Sequence, residues 1–204
     1  MFDTSIRSLI DPALNRTGAK LASLGVSANW VTWLGFVIGL LATISIANHH
    51  TLWGLVLLLL SRLCDGLDGA IAKATKQTDL GGFLDIVLDF AFYGMIPLAF
   101  IIANPVDNSV AGGVLMLLFY VNGASFLTYA LVAEKQGLTE QERGNKSLLY
   151  TVGLAEATET IAVFALMCLF PHWFSTIAYV FAAVVLVTTM TRFTLAYRTF
   201  SDPD

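Results

Sequence analysis

Residues 52–103 read LWGLVLLLLSRLCDGLDGAIAKATKQTDLGGFLDIVLDFAFYGMIPLAFIIA, two long apolar runs interrupted by aspartates. A run such as Leu55-Val56-Leu57-Leu58-Leu59-Leu60 has no apolar–polar alternation, so it is a helix and not a strand of a barrel. A helix crossing the hydrocarbon of a bilayer needs roughly 20 predominantly apolar residues. Residues 52–73 and 81–103 meet that length, and 30–47, 111–133, 148–170 and 174–197 do so as well. The polar separators are short: 48–51, 74–80, 104–110, 134–147 and 171–173.

The composition of the whole chain agrees. Of 204 residues, 56% are hydrophobic and only 13% charged, where soluble domains carry about a quarter charged residues. So few charges cannot cover a globular surface, and the 12% of aromatic residues excludes disorder. A net charge of −4 argues against a nucleic-acid partner. Two cysteines, Cys64 and Cys168, give no disulfide framework, because the topology places them near opposite membrane faces. Residues 1–28 lack the pattern of a cleavable signal.

Lys and Arg orient the helices. Arg7, Arg16 and Lys20 precede the first span; Lys73 and Lys76 follow the second; Lys135, Arg143 and Lys146 follow the fourth; Arg198 closes the sixth. Only Arg62 and Arg192 lie within spans, and the three opposite loops carry no Lys or Arg. The positive-inside rule then puts both termini in the cytoplasm. Ile6, Leu9, Ile10, Leu14, Leu21 and Leu24 recur at helical spacing among basic residues, which suits a helix lying in the cytoplasmic interface. Ser27 or Asn29 is placed to cap the first span. His49, His50 and His172 fall at the outer interface, and Pro97 is expected to kink the third span.

Charged groups inside a membrane are expensive and mark functional sites. Asp65 and Asp68 are three residues apart and Asp85 and Asp89 four apart, so each pair shares a helix face. With a rise of about 1.5 Å per residue, Asp68 and Asp85 both lie roughly 6 to 8 Å inside the cytoplasmic boundary. Their spans are antiparallel neighbours, so four carboxylates converge at one depth. They cannot all stay ionised there without protons or a cation. An all-oxygen set suits Mg²⁺, Mn²⁺ or Ca²⁺. The plainer alternative, hydrogen bonds between packed helices, needs one or two polar groups and not four. Gly66, Gly69, Ala70, Ala72, Gly81 and Gly82 accompany the acids and let a helix or a ligand approach the backbone.

Asp65-Gly66-Leu67-Asp68-Gly69-Ala70-Ile71-Ala72-Lys73, followed by Gly81 and by Asp85-Ile86-Val87-Leu88-Asp89, resembles the signature of the class I CDP-alcohol phosphatidyltransferase family. In that signature two Asp, Gly, Ala and Arg precede a second Gly and two further Asp. Lys73 stands where the family usually has Arg, and seven residues separate it from Gly81 instead of about eight. Ala28-Asn29 before Thr32 takes the place of a Pro-Asn seen in many relatives.

The resemblance implies a fold: an all-α integral membrane protein of six transmembrane helices with an N-terminal cytoplasmic interfacial amphipathic helix. Residues 1–28 would be the interfacial segment and 29–198 the bundle of one domain spanning 1–204. It also implies an activity, transfer of a phosphatidyl group from CDP-diacylglycerol to an alcohol headgroup with release of CMP. Asp65, Asp68, Asp85 and Asp89 would hold Mg²⁺ or Mn²⁺, two ions per site, with Asp89 also the catalytic base. Gly69, Ala72, Lys73 and Gly81 would bind the CDP portion, and a homodimer in a bacterial inner membrane is expected.

Further polar residues invite roles. Glu156 and Glu159 are three residues apart in the fifth span, at depths that would let Arg62 pair with them or let them shape an acceptor pocket. Lys146 and Arg192 are placed to hold a phosphorylated acceptor or to anchor at the interface. The rival for the whole chain is a cation- or proton-coupled transporter. Transporters place their site near the midplane between repeated halves. Here the acids lie off-centre and no second cluster mirrors them.

Overall fold

The structure, a computed structural model, describes residues 2–137 and 157–201. Among these every element is helical: α1 (Phe2–Ser23), α2 (Ala28–Ala47), α3 (Thr51–Ala74), α4 (Asp79–Ala103), α5 (Pro105–Lys135), α6 (Ala157–Leu169), a 3₁₀ turn (Pro171–Trp173) and α7 (Phe174–Phe200). Four stretches are long and apolar enough to cross a membrane: α2, α4, α5, and α7 with its preceding turn. Helix α3 has the length at 24 residues but carries Arg62, Asp65, Asp68 and Lys73. Residues 148–156 of the expected fifth span lie outside the described residues.

Large apolar side chains point outward along the helices, among them Trp30, Leu34 and Leu41 on α2 and Leu131 on α5. In water such a surface would aggregate; against acyl chains it is the stable arrangement. The interior is built on rings. Phe92, Tyr93, Phe119, Phe164 and Phe181 form a chain of ring contacts joining α4, α5, α6 and α7. Near the opposite end from the aspartates, Phe100 stacks on Phe174 at 4.7 Å.

Two helix starts differ from expectation. Residues 104–110, read as a connection, are the first turns of α5, with only Asn104 between the helices. Asn104 accepts a hydrogen bond from the Asp107 amide, Pro105 occupies the first helical position, and Asn108 donates to the Phe100 carbonyl at 2.9 Å. These polar residues hide a helix start from a hydropathy reading, although each is a known start signal. At α2, Ser27 takes the N-cap position in extended backbone but makes no side-chain cap bond, and Asn29 lies inside the helix. Helix α4 runs on through Pro97, which is buried. Both cysteines are free.

Small residues set the helix separations around the acids. On α2, a methyl at Gly35 would lie 2.9 Å from the Cys64 Cβ of α3, and the Ser61 hydroxyl donates to the Gly35 carbonyl at 2.8 Å. Helix α1 crosses α3 as closely: a Cβ at Gly18 would lie 2.6 Å from the Ala70 Cβ and 2.9 Å from its carbonyl carbon. Leu14 meanwhile covers Gly66. Backbone cannot yield as a side-chain tip can. Gly18→Val should therefore push α1 off α3, lowering stability in detergent by about 1–3 kcal/mol. Limited trypsin digestion should then cut faster at Arg16 and Lys20, whereas an unchanged digestion rate would mean α1 is not held by this contact.

Candidate functional site

Asp65 and Asp68 stand on successive turns of α3, Asp85 and Asp89 on successive turns of α4. Measured from the helix ends at Ala74 and Asp79, Asp68 and Asp85 are both roughly 9 Å in, and Asp65 and Asp89 roughly 14 to 15 Å. Only residues 75–78 join the two helices, and the Thr78 side chain caps α4 by accepting from the Gly81 amide at 3.1 Å. That short capped turn fixes the register in which the two pairs face each other.

Asp65, Asp68 and Asp85 each present an oxygen within 4.8 Å of the others, a spacing suited to one cation. Asp68 is buried at 5% exposure, and its Oδ2 has no hydrogen-bond partner. A buried carboxylate oxygen left without a donor costs on the order of 1–3 kcal/mol or more, so it calls for a ligand. A divalent metal with oxygen ligands fits this set.

Asp89 lines the same cavity but has a different partner. Its Oδ1 accepts from Arg62 Nη1 at 2.6 Å, and the same nitrogen lies 3.5 Å from Asp65 Oδ1. Arg62 also donates to the Ser61 hydroxyl at 3.3 Å and lies 3.8 Å above the Phe92 ring. Its described ion pairs are thus with the site's own acids, Asp65 and Asp89; of the two glutamates considered for it, Glu156 is outside the described residues. Arg62 is the main residue that the motif reading missed. Its position three before Asp65, on the same helix face, was the available signal.

The acids line a cavity of about 1080 Å³ walled by α1, α2, α3, α4 and the start of α6. Gly69, Ala72, Lys73 and Gly81, expected around a nucleotide, all line it. At Gly69 and Gly82 an added Cβ would meet nothing within 4 Å, so bare backbone faces open space there. Asn29 and Thr32 of α2 line it as well, and a Cβ on Gly81 would come within 3.3 Å of the Asn29 Oδ1. Lys76 lines it too. Asp11 and Asn15 of α1 form a wall that the reading of α1 as an interfacial helix did not foresee.

Of the four residues suggested for an acceptor pocket, the two described ones, Glu159 and Arg192, are not among those lining the cavity. Arg192 is outside the cavity lining; its Nη1 donates to the Asn122 carbonyl and side-chain oxygen, both at 2.8 Å, and to Ser125 at 3.1 Å. These bonds join α7 to α5. Glu159, on α6, is also outside the described lining, where its neighbours Thr158 and Ile161 are present. Lys146 and Glu156 fall outside the described residues.

Comparison with known proteins agrees with this geometry. The profile of the CDP-alcohol phosphatidyltransferase family matches residues 25–191. The chain is 44% identical to the inner membrane protein YnjF of Escherichia coli over 199 residues, 98% of this chain and 97% of that one. It is 25% identical to the archaetidylinositol phosphate synthase of Methanothermobacter thermautotrophicus, covering 97% of this chain and 90% of the relative. The crystal structure of phosphatidylinositol phosphate synthase from Mycobacterium tuberculosis, with CDP-DAG bound, superimposes with a TM-score of 0.72 at 18% identity. That match covers 94% of this chain and 98% of the other, and shows a shared fold. The family match over residues 25–191, which spans α2 to α6 and most of α7, decides between the enzyme and transporter readings. The chain belongs to the CDP-alcohol phosphatidyltransferase family, and it is a transferase.

Proposed function

We propose that this protein transfers the phosphatidyl group of CDP-diacylglycerol to the hydroxyl of an alcohol headgroup, releasing CMP. The observation that carries this reading is the three-carboxylate cluster with its orphaned Asp68 Oδ2, set in a cavity that the bare backbone of Gly69 and Gly82 also lines. Asp65, Asp68 and Asp85 would hold Mg²⁺ or Mn²⁺, with Asp89 completing a set for a second ion. Divalent ions there would neutralise the pyrophosphate and the charge developing on phosphorus.

The protein's own groups do the rest. Gly69, Ala72 and Gly81 leave room for the flat pyrimidine against the helix backbone. Lys73 lies where the leaving CMP needs a cation, and as a point charge it serves without the two-pronged grip of Arg. Asp89 takes the proton from the acceptor hydroxyl as that oxygen attacks phosphorus.

The same reading supplies a topology. Six spans place both termini and the site in the cytoplasm, α1 lies in that interface, and residues 1–204 form one domain of an inner-membrane homodimer. Support comes from the described cations Lys73, Lys135 and Arg198, which all end helices running toward the site's face. A CDP-linked lipid has tails that belong in hydrocarbon and a nucleotide that belongs in water. Its pyrophosphate would therefore rest a few turns inside the boundary, at the depth of the aspartates.

CMP release should be measured with protein in detergent, CDP-diacylglycerol, Mg²⁺ or Mn²⁺ and a pool of candidate alcohols. Asp89→Asn should reduce the rate by about a thousandfold or more, within the range for a lost acid–base group and a lost ligand. Retention of full activity by that variant would remove Asp89 from the chemistry. A second test turns on sign. Gly69→Ala should leave the fold as stable as before or up to about 1 kcal/mol more stable, since helical Gly is replaced in open space. Its KM for the CDP-lipid should nevertheless rise several-fold, and an unchanged KM would place the nucleotide elsewhere.

A further inference from the structure

Arg62 is a fixed cation built into a site that must gather cations. Its side chain is 10% exposed, wedged between the Phe92 ring, the Ser61 hydroxyl and the carboxylates of Asp65 and Asp89. Its Nε is buried without a hydrogen-bond partner, so the guanidinium is held by its outer edge, the edge facing the acids. Phe92 is fully buried and Ser61 is anchored to the Gly35 carbonyl, so the pocket that holds Arg62 is itself rigid. The contact with Asp89 crosses from α3 to α4 and occupies one of that carboxylate's two oxygens.

The charge balance follows from these five groups. Four aspartates and one arginine sum to three negative charges. One divalent ion leaves one negative charge; a second would leave the site positive in a low-dielectric setting, which is unfavourable until an anion arrives. Without the arginine, two divalent ions would balance four carboxylates by themselves.

Resting on the metal-binding reading above, we infer that Arg62 is a positioning residue that holds Asp89 and withholds the second divalent ion until the pyrophosphate of the donor supplies its negative charge. The first ion is held by Asp65, Asp68 and Asp85. The second site is completed by substrate, so the metal pair forms only where there is a phosphoryl group to transfer. Asp89, kept in place by the arginine in both states, keeps its free oxygen turned toward the cavity.

The test is to count bound Mn²⁺ by electron paramagnetic resonance on detergent-solubilised protein, with and without CDP-diacylglycerol. The native chain should bind one ion per chain alone and two with the lipid. Arg62→Gln should bind two ions without lipid, its second site tightened by about tenfold or more, because a guanidinium a few ångströms away repels a divalent ion even at water's dielectric. Arg62→Lys keeps the charge and should behave as the native chain in the count. Two ions on the native chain without lipid would overturn the inference, as would a single ion on a folded Arg62→Gln. Should Arg62→Gln fail to fold, the one-then-two count of the native chain, and its retention in Arg62→Lys, still decide. No Mn²⁺ on the native chain under either condition would instead overturn the metal reading on which this inference rests.

Discussion

Four carboxylates at matched depth in two apolar helices are the constraint around which this protein is arranged. Separated, each would protonate or drag water into the bilayer; together they repel unless cations join them. The fold answers with Arg62 as a permanent counter-charge and a three-oxygen cluster that leaves one buried oxygen for a metal. Everything nearby serves that geometry. The capped turn at 75–78 sets the register of α3 against α4, and Gly35 lets α2 pack close enough to bury Ser61, which steadies Arg62.

Glycines on α3 and around it take opposite parts. Gly66 is covered by Leu14 of α1, while Gly69, one turn later, faces open cavity. One brings a helix down onto the site, the other keeps space beneath it. Helix α1 thereby becomes more than an amphipathic segment at the boundary. Its close crossing at Gly18 and Ala70 makes it a wall of the cavity, with Asp11 and Asn15 turned inward.

The helices and the aspartate cluster were legible in the sequence because they rest on local periodicities: length of apolar run, and acids three and four apart. The family resemblance, and not any periodicity, put Gly69, Ala72, Lys73 and Gly81 together, and all four line the cavity. What escaped was set by contacts between distant residues. The pairing of Arg62 with Asp89 depends on how α3 and α4 are rotated against each other, which no window of sequence records. The role of α1 depends on a backbone contact between Gly18 and Ala70. The start of α5 escaped for another reason: Asn104, Asp107 and Asn108 are polar because they close a turn, so hydropathy counted them as a loop. The bonds of Arg192 to Asn122 and Ser125 likewise join residues some seventy apart in the chain, which no local pattern announces.

The joint at Asn104 has a wider meaning. At the end of the bundle remote from the aspartates, the described connections are residues 48–50, the single residue 104, and the turn that begins after Leu169. The Ser175 hydroxyl donates to the Asp107 carbonyl at 2.7 Å and pins α7 to that same corner. None of these connections is long enough to fold over a ligand or present a docking surface. On that side the molecule is almost all scaffold. On the proposed function, headgroup and nucleotide would come and go at the opposite end, where the cavity lies, so that donor and acceptor would meet from one leaflet.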